Sequence, residues 1–256
     1  MLDERKIQQL FINSHKIYTD CFSKEERRHV LHGGEPSESI IKCYDEIAEK
    51  VLKEDFNLKK CPNKHIWFGE WDNHRRIVVK LHEFYFHEFI FGYNYDFIPR
   101  LNNQGRFVYH RTEKSADIDV KDLFFNHIYY NPDLMTTSDS YDLRLEYELI
   151  QWANIYSFDL AKKYIECVMR NNIEFMKDFY IRYITDEDVI KFLDHTIKKG
   201  NRFQKYYYMW TKAFLYAKLQ DMDKAVMSMN DYYGDNKEVP QKVLDKLKSV
   251  QEMFSK

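Results

Sequence analysis

The chain of 256 residues has only seven glycines and five prolines, and no stretch reads GxGxxG or GxxxxGK[ST]. A phosphate-cradling loop is therefore not expected. Its four cysteines, Cys21, Cys43, Cys61 and Cys167, are widely spaced and form no CxxC pair. That excludes a paired-cysteine zinc site and leaves free, reduced, buried thiols as the expectation. No apolar run approaches the roughly 20 residues a spanning helix needs. The opening MLDERKIQQLF lacks the apolar centre of a signal peptide, so a cytoplasmic location is expected. Charge of one sign is also missing: the net charge is −2 and the pI about 6.6. This argues against a general binder of nucleic acid or anionic membrane, although a local basic patch stays open.

Aromatic residues are abundant, at 17% of the chain. They concentrate between Lys64 and Arg111, where β-formers predict short strands joined by links too short for parallel crossovers, and hence an antiparallel sheet. Strands are expected over Lys64–Trp71, Arg75–Leu81 and Arg106–Arg111. Asp72-Asn73-His74 reads as a hairpin connection, and Asn102–Gly105 as a loop. In the second strand Ile77, Val79 and Leu81 should face inward and Arg76, Val78 and Lys80 outward. Residues 82–92 are ambiguous between a turn and a bulged strand, with a bend at Gly92. Asp117–Val120 alternates as a last strand, and one or two helical turns are expected over Lys121–Tyr130.

Helices flank this block. Leu2–Phe22 carries apolar residues at helical spacing, and Ser23 with Glu26 forms a capping box for a short second helix. After Pro36 an apolar stripe recurs at Ile40, Ile41, Tyr44, Ile47, Ala48, Val51 and Leu52. A polar connector over 131–140 marks the boundary between an α+β domain, 1–135, and a helical domain, 141–256. In the second, helices are predicted over Asp142–Asn154, Phe158–Arg170, Ile173–Ile184, Asp186–Lys199, Arg202–Leu219, Asp223–Tyr233 and Pro240–Phe254, with short links that impose hairpins. The expected class is α+β: N-terminal helices on an antiparallel sheet, then an all-α array of hairpins.

Trp210, Ala213, Asp221 and Ala225 resemble the turn of a tetratricopeptide repeat, with Gln220 where that family has glycine. The resemblance implies small residues where two helices cross and an aspartate opening the second. The layout as a whole resembles bacterial cytoplasmic proteins of the toxin-immunity type. That implies a non-enzymatic protein that binds and blocks a toxin.

Three constellations bear on chemistry. His82, His87 and Glu88, with His65, His74, His110, Glu70 and Asp72 nearby, are candidates for a metal-dependent enzyme, but His82 and His87 point to opposite faces of a continuous strand. Surface or hydrogen-bonded histidines are the favoured reading, and no metal or cofactor is expected. Glu70 and Asp72 share a face as paired carboxylates, without an accompanying nucleophile. Arg75, Arg76, Lys80, Arg100, Arg106 and Arg111 interleave with Trp67, Trp71, Tyr93, Tyr95 and Tyr109, the composition of a single-stranded nucleic-acid platform. This is the alternative reading, a nucleic-acid or regulatory module. The leading expectation is a protein partner, with no membrane. It rests on an acid-rich stretch from Asp117 to Glu148, which suits a basic toxin. The expected contacts, on the acidic connector or the concave side of the array, are Asp139, Asp142, Glu146 and Glu148, with Tyr141 and Tyr147 as anchors.

Overall fold

The computed structural model describes residues 38–81, 89–123, 158–199, 202–234 and 237–255. Within these the protein is α+β. Helix α1 (Glu38–Phe56) precedes strands β1 (Lys59–Lys60), β2 (Ile66–Phe68), β3 (Arg75–Leu81), β4 (Phe89–Tyr95), β5 (Arg100–Leu101), β6 (Phe107–Val108) and β7 (Val120–Leu123). Five helices follow: α2 (Phe158–Arg182), α3 (Asp186–Lys199), α4 (Arg202–Lys218), α5 (Met222–Tyr233) and α6 (Gln241–Phe254). An antiparallel five-stranded sheet runs β1-β2-β3-β4-β7, and β5-β6 form a separate hairpin. In the helical array α4 packs with α3, α5 and α6. The two N-terminal helices, residues 82–88, the connector at 131–140 and helix Asp142–Asn154 lie outside the described residues.

The chain divides into two compact units. The first comprises the described residues of Met1–Glu70, Ile77–Phe91 and Asp122–Lys177. The second comprises those of Trp71–Arg76, Gly92–Lys121 and Asp178–Lys256.

In the first unit, the described end of the α1 stripe buries Ala48 and Leu52 beside Leu58, Trp67, Val78, Val79 and Phe89. Each large apolar side chain buried there contributes roughly 1.5–3 kcal/mol. Trp67 and Phe89 meet with ring centroids 6.1 Å apart. The second unit centres on Tyr95, Phe97, Tyr208, Phe214 and Leu215, all essentially buried.

The hairpin at Asp72-Asn73-His74 is present. Asn73 and His74 both take left-handed φ, 45° and 63°, and Asp72 and Arg75 exchange backbone hydrogen bonds of 2.7 and 2.9 Å. Two successive positive φ values match the right-handed twist of the flanking strands. The histidine is an uncommon residue for such a backbone. Its Nδ1 is held 3.0 and 3.1 Å from the two carboxylate oxygens of Asp96, and its ring stands edge-on to Phe254 at 4.8 Å.

Four local expectations need correction. Arg76 and Val78 do not face solvent: Arg76 is 3% exposed and Val78 and Val79 are both fully buried. An inner strand covered on both faces loses its alternation. Gly92 lies within β4 and makes no bend. A Cβ there would stand 1.8 Å from the Val120 carbonyl oxygen, so the residue is needed for close approach. The last strand begins at Val120 and runs to Leu123, where helical turns were expected. Finally, Phe158–Arg170 and Ile173–Ile184 form one 25-residue helix, α2. Asn171-Asn172 weakens a helix by under about 1.5 kcal/mol relative to alanine. The buried series Met169, Ile173 and Met176 continues across it at helical spacing, which outweighs that cost.

Candidate functional site

The largest concentration of polar chemistry in the described residues is a cluster in the second unit, around Asp119. This residue is 1% exposed. Its Oδ2 accepts from Asn94 Nδ2 at 2.7 Å and from the Tyr95 backbone N–H at 2.8 Å, and its Oδ1 from Arg100 Nη2 at 3.3 Å. Arg76 Nε donates to Asn94 Oδ1 at 3.0 Å. The Arg76 guanidinium also reaches the carbonyls of His110 and Thr112 at 2.9 and 3.3 Å, and stacks 4.3 Å over the Trp71 ring. Arg100 Nη1 donates to Asp117 Oδ2 at 2.7 Å, while its Nη2 also reaches the Ile118 carbonyl and the Tyr207 hydroxyl.

Helix α4 supplies the rest. Thr211 Oγ1 donates to the Asp119 carbonyl at 3.0 Å, Tyr208 OH to the Lys121 carbonyl at 3.0 Å, and Trp210 Nε1 to the Pro99 carbonyl at 2.6 Å. Side chains of α4 thereby satisfy the carbonyls of Asp119, just before β7, of Lys121 within it, and of Pro99, just before β5.

The electrostatics follow from burial. Burial pushes the Asp119 carboxyl above its usual range, although Arg100, the Tyr95 N–H and Asn94 oppose it. Burial pulls Arg100 down, but Tyr207 and the carboxylates of Asp119 and Asp117 outweigh it and the group is raised. Burial also raises the Tyr207 and Tyr95 hydroxyls well above their usual value, and carries Tyr93 up to about 12 against the pull of Arg75. Such tyrosines are neutral donors at physiological pH, unsuited to act as bases. Every charged member of the Asp119 cluster is engaged with other protein groups, so its chemistry is that of a structural tie.

The residues expected from sequence to carry function fall in separate places. His65 Nδ1 lies 2.7 Å from Asp45 Oδ1, with Lys60 Nζ 2.9 Å from the other oxygen. His110 Nδ1 meets the Ser115 carbonyl at 2.7 Å. Glu70 pairs with Lys59 on the surface, and Asp72 is exposed in its turn. Among the described residues no three His, Cys, Asp or Glu side chains are grouped to hold a metal ion. His82, His87 and Glu88 lie outside those residues, as do Asp139, Tyr141, Asp142, Glu146, Tyr147 and Glu148. Of the basic-aromatic set, Trp67, Tyr93 and Tyr95 are core side chains. Arg75 lies 4.4 Å over the Tyr93 ring.

Asp119, Asn94 and Thr211 were not singled out from the sequence as a cluster. The available signal is a short polar side chain inside an apolar run, as in FGYNYDF and MWTKAF.

One surface feature stands out at the α2–α3 corner. Ile181 and Ile184 are 70% and 58% exposed and one turn apart in sequence. The first turn of α3 beside them is acidic, with Asp186, Glu187 and Asp188. Asp186 is taken by Lys218 at 2.7 Å and Asp188 by Lys191 at 3.0 Å, whereas Glu187 is exposed and has no ion-pair partner among the described residues. No helix among the described residues is long and apolar enough to cross a membrane. Comparison with known protein families, curated proteins and solved structures finds no match to this chain.

Proposed function

We propose that this chain is a non-enzymatic protein-binding module of the immunity type, which binds a bacterial toxin domain and occludes its site. The observation that carries this reading is the exposed pair Ile181 and Ile184 beside the acidic first turn of α3, where Glu187 is exposed. Apolar anchors bordered by acid suit a partner surface that is apolar at its centre and basic at its edge. The acid-rich run that includes Asp139, Asp142, Glu146 and Glu148 adds charge of the same sign. In the alternative, a nucleic-acid platform on the sheet, Trp67, Tyr93 and Tyr95 would have to stack on bases, and all three are buried.

The test is co-expression with the product of an adjacent gene for a secreted toxin. A stable stoichiometric complex and loss of toxicity are expected. Ile181→Ser combined with Ile184→Ser should weaken the complex about tenfold or more. A neighbouring toxin that remains fully active in the presence of excess protein contradicts the reading.

A further inference from the structure

A second surface, in the second unit, carries charge of the opposite sign. Arg111 comes from the segment after the β5–β6 hairpin, and Lys242 and Lys246 come from α6. The Arg111 guanidinium lies 3.9 Å over the Tyr109 ring and Lys246 Nζ 5.3 Å from the same ring. Lys242 Nζ donates to the Gly105 carbonyl at 2.8 Å. Backbone and ring contacts thus gather cations of two elements around Tyr109.

Six lysines elsewhere, Lys59, Lys60, Lys177, Lys191, Lys212 and Lys224, each meet a carboxylate, whereas exposed lysines such as Lys53, Lys64 and Lys248 stand apart from one another in the chain. Among the described residues, Arg111, Lys242 and Lys246 meet no carboxylate. The acids flanking them in sequence, Glu113 and Asp245, are exposed, and Asp245 is engaged by Gln241 Nε2 at 2.8 Å. The α6 N-terminus, which favours negative charge, has no acid in its first turn and carries Lys242 there instead.

We infer that this surface binds an acidic segment of another protein, with Arg111 as its central contact. Arg111 Nε is held by the Asp96 carbonyl and its plane by Tyr109, which leaves the Nη groups set for bidentate contact with a carboxylate. Lys242 and Lys246 are four residues apart on one helix, a spacing that sets Cβ atoms about 6 Å apart on one face. That spacing suits carboxylates one turn apart on an acidic segment. Nucleic acid is the poorer fit. Arg111 and Lys246 are drawn over the one ring among these residues, so a base has less of it to stack on. The chain's net charge of −2 also repels a long polyanion while leaving a short acidic segment in the local field. This inference concerns a different surface from the α2–α3 corner and does not rest on the toxin reading.

Fluorescence anisotropy with a short labelled polyglutamate peptide tests it, with single-stranded oligothymidylate of similar length as the competing probe. The peptide should bind in the micromolar range at low salt and lose about tenfold in affinity as salt rises from about 50 to about 500 mM. Arg111→Gln with Lys246→Gln should weaken binding about tenfold. Because Arg111 also holds the Asp96 carbonyl, Lys242→Gln with Lys246→Gln, both on the surface of α6, serves as the second variant. It should give a several-fold loss with an unchanged circular dichroism spectrum. Tighter binding of the oligonucleotide than of the peptide overturns the assignment of the partner. Absence of peptide binding at about 100 μM, or binding unchanged in both variants, overturns the surface itself.

Discussion

In the first unit two ion pairs lie at the rim, Lys59–Glu70 largely exposed and Lys177–Asp55 half-exposed, over a core of Leu52, Trp67, Val79 and Phe89; Lys60–Asp45 is more covered, and Asp122 is buried. In the second unit charge goes inside, and Arg76 and Asp119 are as buried as the rings around them. Rim pairs add little to stability, because water screens them and two long side chains lose freedom. Buried charge costs solvation on entry, and removing a single partner leaves the other uncompensated. The two units should therefore respond differently to loss of one charged side chain.

The largest expected effect comes from Gly92→Ala. Gly92 N–H donates to the Tyr180 hydroxyl at 3.2 Å, that hydroxyl returns a bond to the Gly92 carbonyl, and a methyl group would collide with Val120. The variant should fail to give a cooperative unfolding transition. A wild-type melting curve would remove the close approach from this picture. Next is Ala225→Asp, which puts an unpaired carboxylate at a fully buried position on α5. A loss of about 3 kcal/mol or more is expected in urea unfolding. Thr211→Val keeps the shape of the side chain and deletes its bond to the Asp119 carbonyl; about 1–2 kcal/mol should be lost. The rim gives the smallest effect. Lys177 is raised chiefly by its bond to Asp55, but it is exposed enough that Lys177→Ala should change stability by about 0.5 kcal/mol or less.

Acidity sharpens the same contrast. The folded-state pKa of Asp119 is raised by burial above its usual 3.8. The proton-linked part of its contribution is therefore fully present below that value and is lost as pH rises through the folded pKa, while its bonds to Asn94, the Tyr95 N–H and Arg100 remain. Asp188 runs the other way: hydrogen bonds from Lys191 and Thr185 lower it, so its contribution is present above the usual value and fades as pH falls through the lowered one. The stability gap between wild type and Asp119→Asn should narrow as pH rises from the usual carboxyl range, whereas the gap for Asp188→Asn should widen from acid towards neutral pH. Urea titrations of both variants across that range check the two signs.

Much of the architecture was legible because its signals are local. Helix α3 covers Asp186–Lys199 as expected, since Thr185 caps it: its hydroxyl accepts from the Asp188 N–H at 3.1 Å. Strand β3 and the turn before it were marked by Asn73 and by the β-branched run that follows. The α4–α5 hairpin is closed by Asp221, whose carboxylate accepts from the Lys224 N–H at 3.1 Å. Gln220 takes the left-handed φ of 66° that a glycine adopts more readily, and its side chain reaches the Gln251 carbonyl at 3.0 Å.

What was not legible depends on partners far along the chain. Arg76 meets Asn94 and the carbonyls of His110 and Thr112, and the Asp119 carbonyl meets Thr211, 92 residues on. Alternation within one strand carries no information about such contacts. Asn171-Asn172 reads locally as a break, but α2 runs through it because the apolar series across it continues. Of the candidate sites, the metal-type histidines that are described fall apart into separate pairs. The apolar corner at Ile181 and Ile184 carried no signal, since exposure of an isoleucine depends on what the tertiary structure leaves uncovered.

The most direct measurement is the unfolding free energy of Asp119→Ala in urea near neutral pH, beside that of Lys177→Ala. A buried tie at Asp119 predicts a loss of about 3–5 kcal/mol against about 0.5 kcal/mol or less at the rim. Equal losses in the two variants, or a loss under about 1 kcal/mol at Asp119, would contradict the claim that the second unit is held together by charge taken into its core.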